Sequence, residues 1–129
     1  MVDCIFCTKI KSKDILVETE NYFVVLDTDP IQVGHLLIIS KKHYKNMIEI
    51  PEHELLELIK LEKKIMTIFE EKFNVLGVSI IQNNGKVMET GTHFHAHLIP
   101  RYSHDNFWDN QKVVHSILDI TLLKKELQK

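Results

Sequence analysis

Apolar residues in this chain fall into dense runs, and the period within each run differs. Tyr22-Phe23-Val24-Val25-Leu26 is rich in β-branched and aromatic residues and predicts a strand. Asp27-Thr28-Asp29-Pro30 breaks it. Gly34 introduces His35-Leu36-Leu37-Ile38-Ile39, a second strand whose unbroken apolar run predicts burial, and Ser40-Lys41-Lys42-His43 ends it. From Pro51 to Phe73 the period lengthens. Leu55, Leu58, Leu61, Ile65, Ile68 and Phe69 recur at helical steps, with Glu57, Lys60, Lys63, Lys64, Glu70 and Glu71 largely opposite. That is one long amphipathic helix. Pro51 suits its first position, and Glu52 and Glu54 suit the positive end of its dipole.

Val78-Ser79-Ile80-Ile81-Gln82 follows Gly77 as a third strand, and Asn83-Asn84-Gly85 predicts a turn. Thr92 to Arg101 then alternates, and predicts a fourth strand stopping near Pro100. Ile5 to Ile10 predicts a short helical turn, and Val113 to Leu127 a second, less strongly patterned helix. Strands joined directly, with one long helix inserted, predict an α+β fold with an antiparallel sheet.

Composition narrows the class. A chain of 129 residues, 44% hydrophobic and 26% charged, fits one domain with one core. A net charge of −2 offers no electrostatic grip on nucleic acid, so none is expected as a partner. No apolar run approaches the roughly 20 residues of a membrane helix. Met1-Val2-Asp3-Cys4 lacks the basic and apolar regions of a secretory leader. The expectation is a cytoplasmic protein in a reducing compartment, where a Cys4–Cys7 disulfide is disfavoured and metal binding gains weight.

The chemistry concentrates in His93-Phe94-His95-Ala96-His97. On a strand, the three histidines share one face and Phe94, Ala96 and Leu98 the other. Two readings follow. In one, the triad holds a catalytic metal. Its outer Cα atoms then lie roughly 13 Å apart when extended, a wide span for one ion, and no acidic cluster offers a second site. In the other, a neutral imidazole attacks phosphorus and forms a phospho-histidine-type intermediate. His95, flanked on both sides, is the natural attacker, with its neighbours supplying positive charge for the equatorial oxygens.

Cys4-Ile5-Phe6-Cys7 has the spacing of a structural zinc site. With only 2 Cys, a closed site must borrow histidines, and His43 and His93 are on offer. The alternative is a pair of buried, reduced thiols. His35 is either a satisfied core residue or a support for the site. His53, His104 and His115 are expected at the surface, and Trp108 is expected to pack a loop.

The stretch His93-Phe94-His95-Ala96-His97-Leu98-Ile99 resembles the signature of the histidine triad (HIT) family. Cys4 to Cys7, Asp27 to Pro30, Gly34-His35, Lys41 to His43, Asn83 to Gly85 and Ile99 to Arg101 recur in that family's order. The resemblance spans residues 4 to 102 and is to the Hint-like bacterial and archaeal branch. It implies a single domain over residues 1–129, with residues 103–129 a helical extension. The implied fold has an antiparallel sheet of about five strands, one long helix and a C-terminal helix.

It also implies a nucleotide hydrolase or transferase that cleaves nucleoside phosphoramidates or related nucleotides at the α-phosphate, through a nucleotidyl-histidine intermediate. By position, His95 is the nucleophile, His97 and Asn83 contact the α-phosphate, Asp27 binds the ribose hydroxyls, and His35 is the upstream histidine of the site. Zinc, held by Cys4, Cys7, His43 and His93, is structural and is not required for chemistry. Purine nucleotides of the AMP or GMP type are the implied substrates, and the implied assembly is a homodimer.

The departures lie just upstream of the triad. Thr90 stands where a serine often helps protonate the leaving group. Glu89 stands at a nucleotide-contacting position where an amide is usual. Lys9 and Thr28 stand where the base pocket is often apolar. These substitutions keep open a non-catalytic nucleotide-binding regulatory module, beside the metal-dependent hydrolase.

Overall fold

A computed structural model describes residues 4–129, without the side chain of Asn110. The leader reading of Met1–Asp3 therefore lies outside the described residues. The chain runs through helix α1 (Ile5–Thr8), strands β1 (Val17–Glu18), β2 (Tyr22–Leu26) and β3 (Leu36–Ser40), helix α2 (Glu52–Lys72), strands β4 (Gly77–Gln82) and β5 (His95–Arg101), and helix α3 (Ile120–Leu127). The five strands form one antiparallel sheet in the order β1-β2-β3-β5-β4. Among the described residues no helix is long and apolar enough to cross a membrane.

Strand alternation divides the core. Tyr22, Val24, Ile38, Phe94, Ala96 and Leu98 pack with Leu58, Leu61 and Ile65 of α2. Phe23, Val25, Leu37 and Ile39 point the other way, onto Cys4 and Phe6, with Ile10 and Ile15 alongside. Both faces of β2 and β3 are covered, which is why their sequences read as continuous apolar runs. The histidines lie on the second face. His95 is paired with Ile39 and His97 with Leu37, and directly opposed residues project to the same side.

Local signals explain the elements. Helix α2 starts one residue after Pro51, with Glu52 and Glu54 in its first turn. The turn before β3 needs a positive φ, and Gly34 takes it at 91°. It closes with the His35 N–H donating to the Gln32 carbonyl at 3.0 Å.

Three expectations change. The triad strand begins at His95, so His93 precedes it; the Phe94 N–H instead donates to the Tyr44 carbonyl at 2.7 Å. Asn83-Asn84-Gly85 does not make a tight hairpin. Asn84 bonds sideways, its Oδ1 accepting from the Met47 N–H at 2.6 Å, and the chain runs through residues 83–94 before re-entering the sheet. The C-terminal helix is limited to Ile120–Leu127, capped by Asp119, whose Oδ1 accepts from the Leu122 N–H at 3.0 Å. The residues before it, from Gln111 to Asp119, are exposed, so no packing favours helix over their β-branched content.

Candidate active site

Two clusters meet along the start of β5. The first draws Cys4 and Cys7 from the N-terminal turn, His43 from the loop after β3 and His93 from the residue pair preceding β5. Their ligand atoms all lie within 4.8 Å of one another. The N-terminal turn is pinned there because the Ile5 N–H donates to the Gly91 carbonyl at 2.9 Å.

His93 Nδ1 stands 3.2 Å from Cys4 Sγ and 3.5 Å from Cys7 Sγ, while His43 Nδ1 is 3.2 Å from Cys7 Sγ. The tautomer of His93 is fixed by its other nitrogen. Nε2 lies 2.6 Å from the Ser40 carbonyl oxygen, which can only accept, so Nε2 carries the proton and Nδ1 presents its lone pair to the thiols. Burial holds the His93 ring far below its ordinary range, at about 4, so it is neutral at pH 7. Burial raises the Cys7 thiol, and its hydrogen bond to Cys4 and the charge of Cys4 raise it further.

The Cys7 thiol, held back from ionising, lies with Cys4 beside two imidazole nitrogens, an S2N2 donor set of the type that takes up a divalent cation such as zinc. A carbonyl orienting the ring of a metal-binding histidine is the usual supporting contact.

The second cluster is Asp27, His35 and His97, whose ligand atoms also lie within 4.8 Å. Here the bonds form a directed chain. The Ile31 N–H donates to His35 Nδ1 at 3.0 Å, so that nitrogen is an acceptor and His35 Nε2 carries the proton. Nε2 donates to His97 Nδ1 at 2.9 Å, which leaves the His97 proton on Nε2. His95 has the opposite polarity. Its Nδ1 lies 2.8 Å from the His93 carbonyl oxygen and must donate, so in the neutral ring it is Nε2 that carries the lone pair. The His95 and His97 rings meet edge to face with centroids 4.7 Å apart. Side by side, the site thus presents one imidazole nitrogen free of a donor's proton and one N–H that can donate.

Asp27 Oδ1 accepts the Asp29 N–H at 2.8 Å, and Oδ2 lies 3.4 Å from His35 Nε2. The 3.9 Å approach of Asp27 Oδ2 to His97 Nδ1 is not an ion pair, because both atoms are acceptors in this chain. Burial depresses the His97 ring to about 4, helped by His95 and His35 and opposed by Asp27; His35 is lowered for the same first reason. His97 is therefore a neutral donor in the free protein. The expectation of positive charge from the neighbours of His95 is corrected by that burial.

The donor chain also bears on whether Asp27, His35 and His97 would hold a cation. A cation on His35 Nε2 would require the ring proton on Nδ1, where the Ile31 N–H already points.

The remaining expected residues are placed as follows. Asn83 is the first residue beyond β4, whose last pair is Gln82 with Ala96, and is exposed. Glu89 and Thr90 are exposed on the loop leading into β5, where the Glu89 carbonyl accepts from the Thr92 hydroxyl at 2.7 Å. Lys9 and Thr28 are exposed, as are His53, His104 and His115. Trp108 is 67% exposed, its ring against Phe107 and near the Arg101 guanidinium. It covers a loop side chain without being buried by it.

Sequence reasoning missed three participants. Phe6, inside the cysteine pair, sets its ring edge-on to His93 at 5.5 Å and His95 at 4.9 Å. The Ser40 carbonyl and the Ile31 N–H set tautomers from the backbone, where residue type carries no signal. For Phe6 the signal was its apolar character between two cysteines.

The HIT domain model matches residues 8–104, about three quarters of the chain. An uncharacterized HIT-like protein of Methanocaldococcus jannaschii is 38% identical over 106 residues, which cover 79% of this chain and 81% of the relative. The adenosine 5′-monophosphoramidase of Saccharomyces cerevisiae is 37% identical over 103 residues, covering 76% of this chain and 62% of the yeast protein. Among solved structures, SMU.412c from Streptococcus mutans superposes with a TM-score of 0.74 at 30% identity, covering 99% of this chain and 83% of that one. Its fold and the five-stranded α+β architecture agree.

Proposed function

The chain belongs to the HIT family, and from that membership we propose that it hydrolyses nucleoside phosphoramidates or related nucleotides at the α-phosphate through a nucleotidyl-His95 intermediate. One observation carries the reading. The His93 carbonyl binds the Nδ1 proton of His95 and leaves its Nε2 lone pair free, beside a neutral His97 whose Nε2 proton can be donated.

In this reading the nucleotide lies over β5. The Asp27 carboxylate takes the ribose hydroxyls, while His97 Nε2–H and the Asn83 amide hold the non-bridging oxygens of the α-phosphate. His35 acts through His97, fixing its tautomer. His95 Nε2 attacks phosphorus, the N–P bond forms, and the bond to the leaving amine or phosphate breaks as that group takes a proton. Thr90 is the hydroxyl proposed to hydrogen-bond the leaving group, and Glu89, an anion beside it, selects against strongly negative leaving groups. Water then attacks phosphorus, the N–P bond breaks, and a nucleoside monophosphate of the AMP or GMP type departs. Neutral donors align the phosphate without the cost of burying two imidazolium charges.

Zinc fits the Cys4, Cys7, His43 and His93 donor set. When bound it crosslinks the N-terminal turn to the sheet and takes no part in the steps above. The setting proposed is a cytoplasmic homodimer.

The test is His95→Ala assayed on adenosine phosphoramidate, with acid-quenched mass spectrometry of the wild-type protein for the adduct. Turnover should fall by at least about 10³-fold, as expected for loss of a nucleophile. Retention of most activity would remove His95 from the role, and tight nucleotide binding without turnover or adduct would favour a regulatory module.

A further inference from the structure

His43 is the one metal donor that comes from an exposed loop. The residues on either side of it are not loose. Lys42 Nζ donates to Glu54 Oε2 at 2.8 Å, and the Tyr44 hydroxyl donates to Glu54 Oε1 at 2.9 Å. Glu54 sits in the first turn of α2 and is 2% exposed. Both of its carboxylate oxygens are thus committed to the two neighbours of His43.

A carboxylate alone in that position would be expensive to bury. Burial does push the Glu54 carboxyl upward, but its bonds to Lys42 and Tyr44 outweigh it and the group stays below its usual range. The exposed His53 ring is a more distant neighbour, at 3.8 Å.

The same loop is stitched to the residues around His93. The Tyr44 carbonyl accepts the Phe94 N–H at 2.7 Å, and Lys45 Nζ donates to the Thr92 carbonyl at 2.9 Å. The loop therefore hangs between the first turn of α2 and the approach to β5, with His43 Nδ1 held 3.2 Å from Cys7 Sγ between the two attachments.

We infer that Glu54 is a positioning residue for the metal centre: its clasp on Lys42 and Tyr44 holds His43 in ligating geometry and sets how fast the metal leaves. This rests on the reading of Cys4, Cys7, His43 and His93 as zinc ligands, and nothing in it requires turnover. The competing account is that Glu54 only favours the helix start through its charge. Two other glutamates separate the accounts. Glu52 shares the first turn and is exposed. Glu57 anchors the same helix elsewhere, accepting from Thr19 and Asn21 at 2.6 to 2.8 Å.

The experiment loads the full chain with zinc, measures metal per chain, and follows release to excess chromogenic chelator. Glu54→Ala should release zinc about tenfold faster than the parent, the lower end of the effect seen when supporting contacts of metal ligands are removed. Glu54→Gln, which keeps an acceptor for one arm, should fall between. Glu52→Gln and Glu57→Ala should release at the parental rate even where the latter lowers thermal stability. Should Glu54→Ala fail to fold, Lys42→Met and Tyr44→Phe each remove one arm and should each speed release.

Parental release from the Glu54 and single-arm variants overturns the inference, as does equal acceleration in Glu57→Ala. A parent that holds no zinc overturns the metal reading itself and this inference with it, an outcome visible in the loading step.

Discussion

Replacing His97 with asparagine should make the protein less sensitive to acid. His97 titrates at about 4 when folded, against an ordinary 6.5. A folded value below the unfolded one means that the unfolded chain takes up the proton first. Stability from this ring is therefore intact above pH 6.5, declines as pH falls through that value, and is fully lost below about 4. At about 1.4 kcal/mol per pH unit, the gap amounts to about 3 kcal/mol in total, of which roughly 2 kcal/mol disappears between about pH 7 and pH 5.

Asparagine removes the titration but keeps an oxygen near Nδ1 to accept the His35 Nε2 proton, so the chain from Ile31 survives. His35 and His93 are depressed in the same direction. They are present in both proteins and cancel in the comparison. Urea unfolding of parent and variant at pH 7 and pH 5 reads the difference. The variant should lose roughly 2 kcal/mol less than the parent over that interval. Equal losses, within about 0.5 kcal/mol, would refute the neutral state of His97 and with it the polarity of the donor chain.

Cys7→Ser should lower both zinc per chain and the thermal midpoint, because metal binding is coupled to folding; unchanged stoichiometry would refute the ligand set. Leu58→Ala, at a side chain 1% exposed where α2 meets the sheet, should cost about 2–5 kcal/mol in urea unfolding, and a cost under about 1 kcal/mol would show that the helix is not seated as described. Deleting residues 111–129, which are exposed throughout, should leave the urea midpoint of the isolated chain unchanged. A fall in that midpoint that grows with protein concentration would show the segment packing on a second copy.

The strands around Val24 and Ile38, the long helix and the gathering of Cys4, Cys7, His43 and His93 were all legible in the chain. Each depends on residue type at a fixed spacing. A period of two or 3.6 determines which side chains share a face, and only a few side chains ligate zinc. The Glu54 clasp was half visible: the acidic residue was read as a helix-start charge, but its partners, 10 and 12 positions upstream, follow from how the loop returns to the helix.

The tautomers belong wholly to the tertiary structure. Three histidines at even spacing look equivalent in sequence, yet they leave the fold with three different roles. The Ser40 carbonyl turns His93 toward the thiols, the His93 carbonyl frees Nε2 of His95, and the Ile31 N–H, through His35, makes His97 a donor. Every residue carries a backbone carbonyl, and every residue but proline an N–H, so no residue choice announces which of them will face an imidazole. Burial likewise removed the positive charge that His93 and His97 would carry if exposed. The sequence determined which side chains are available and on which face they stand. Only packing decided which nitrogen of each ring carries the proton, because that depends on fixed backbone dipoles brought there from distant parts of the chain.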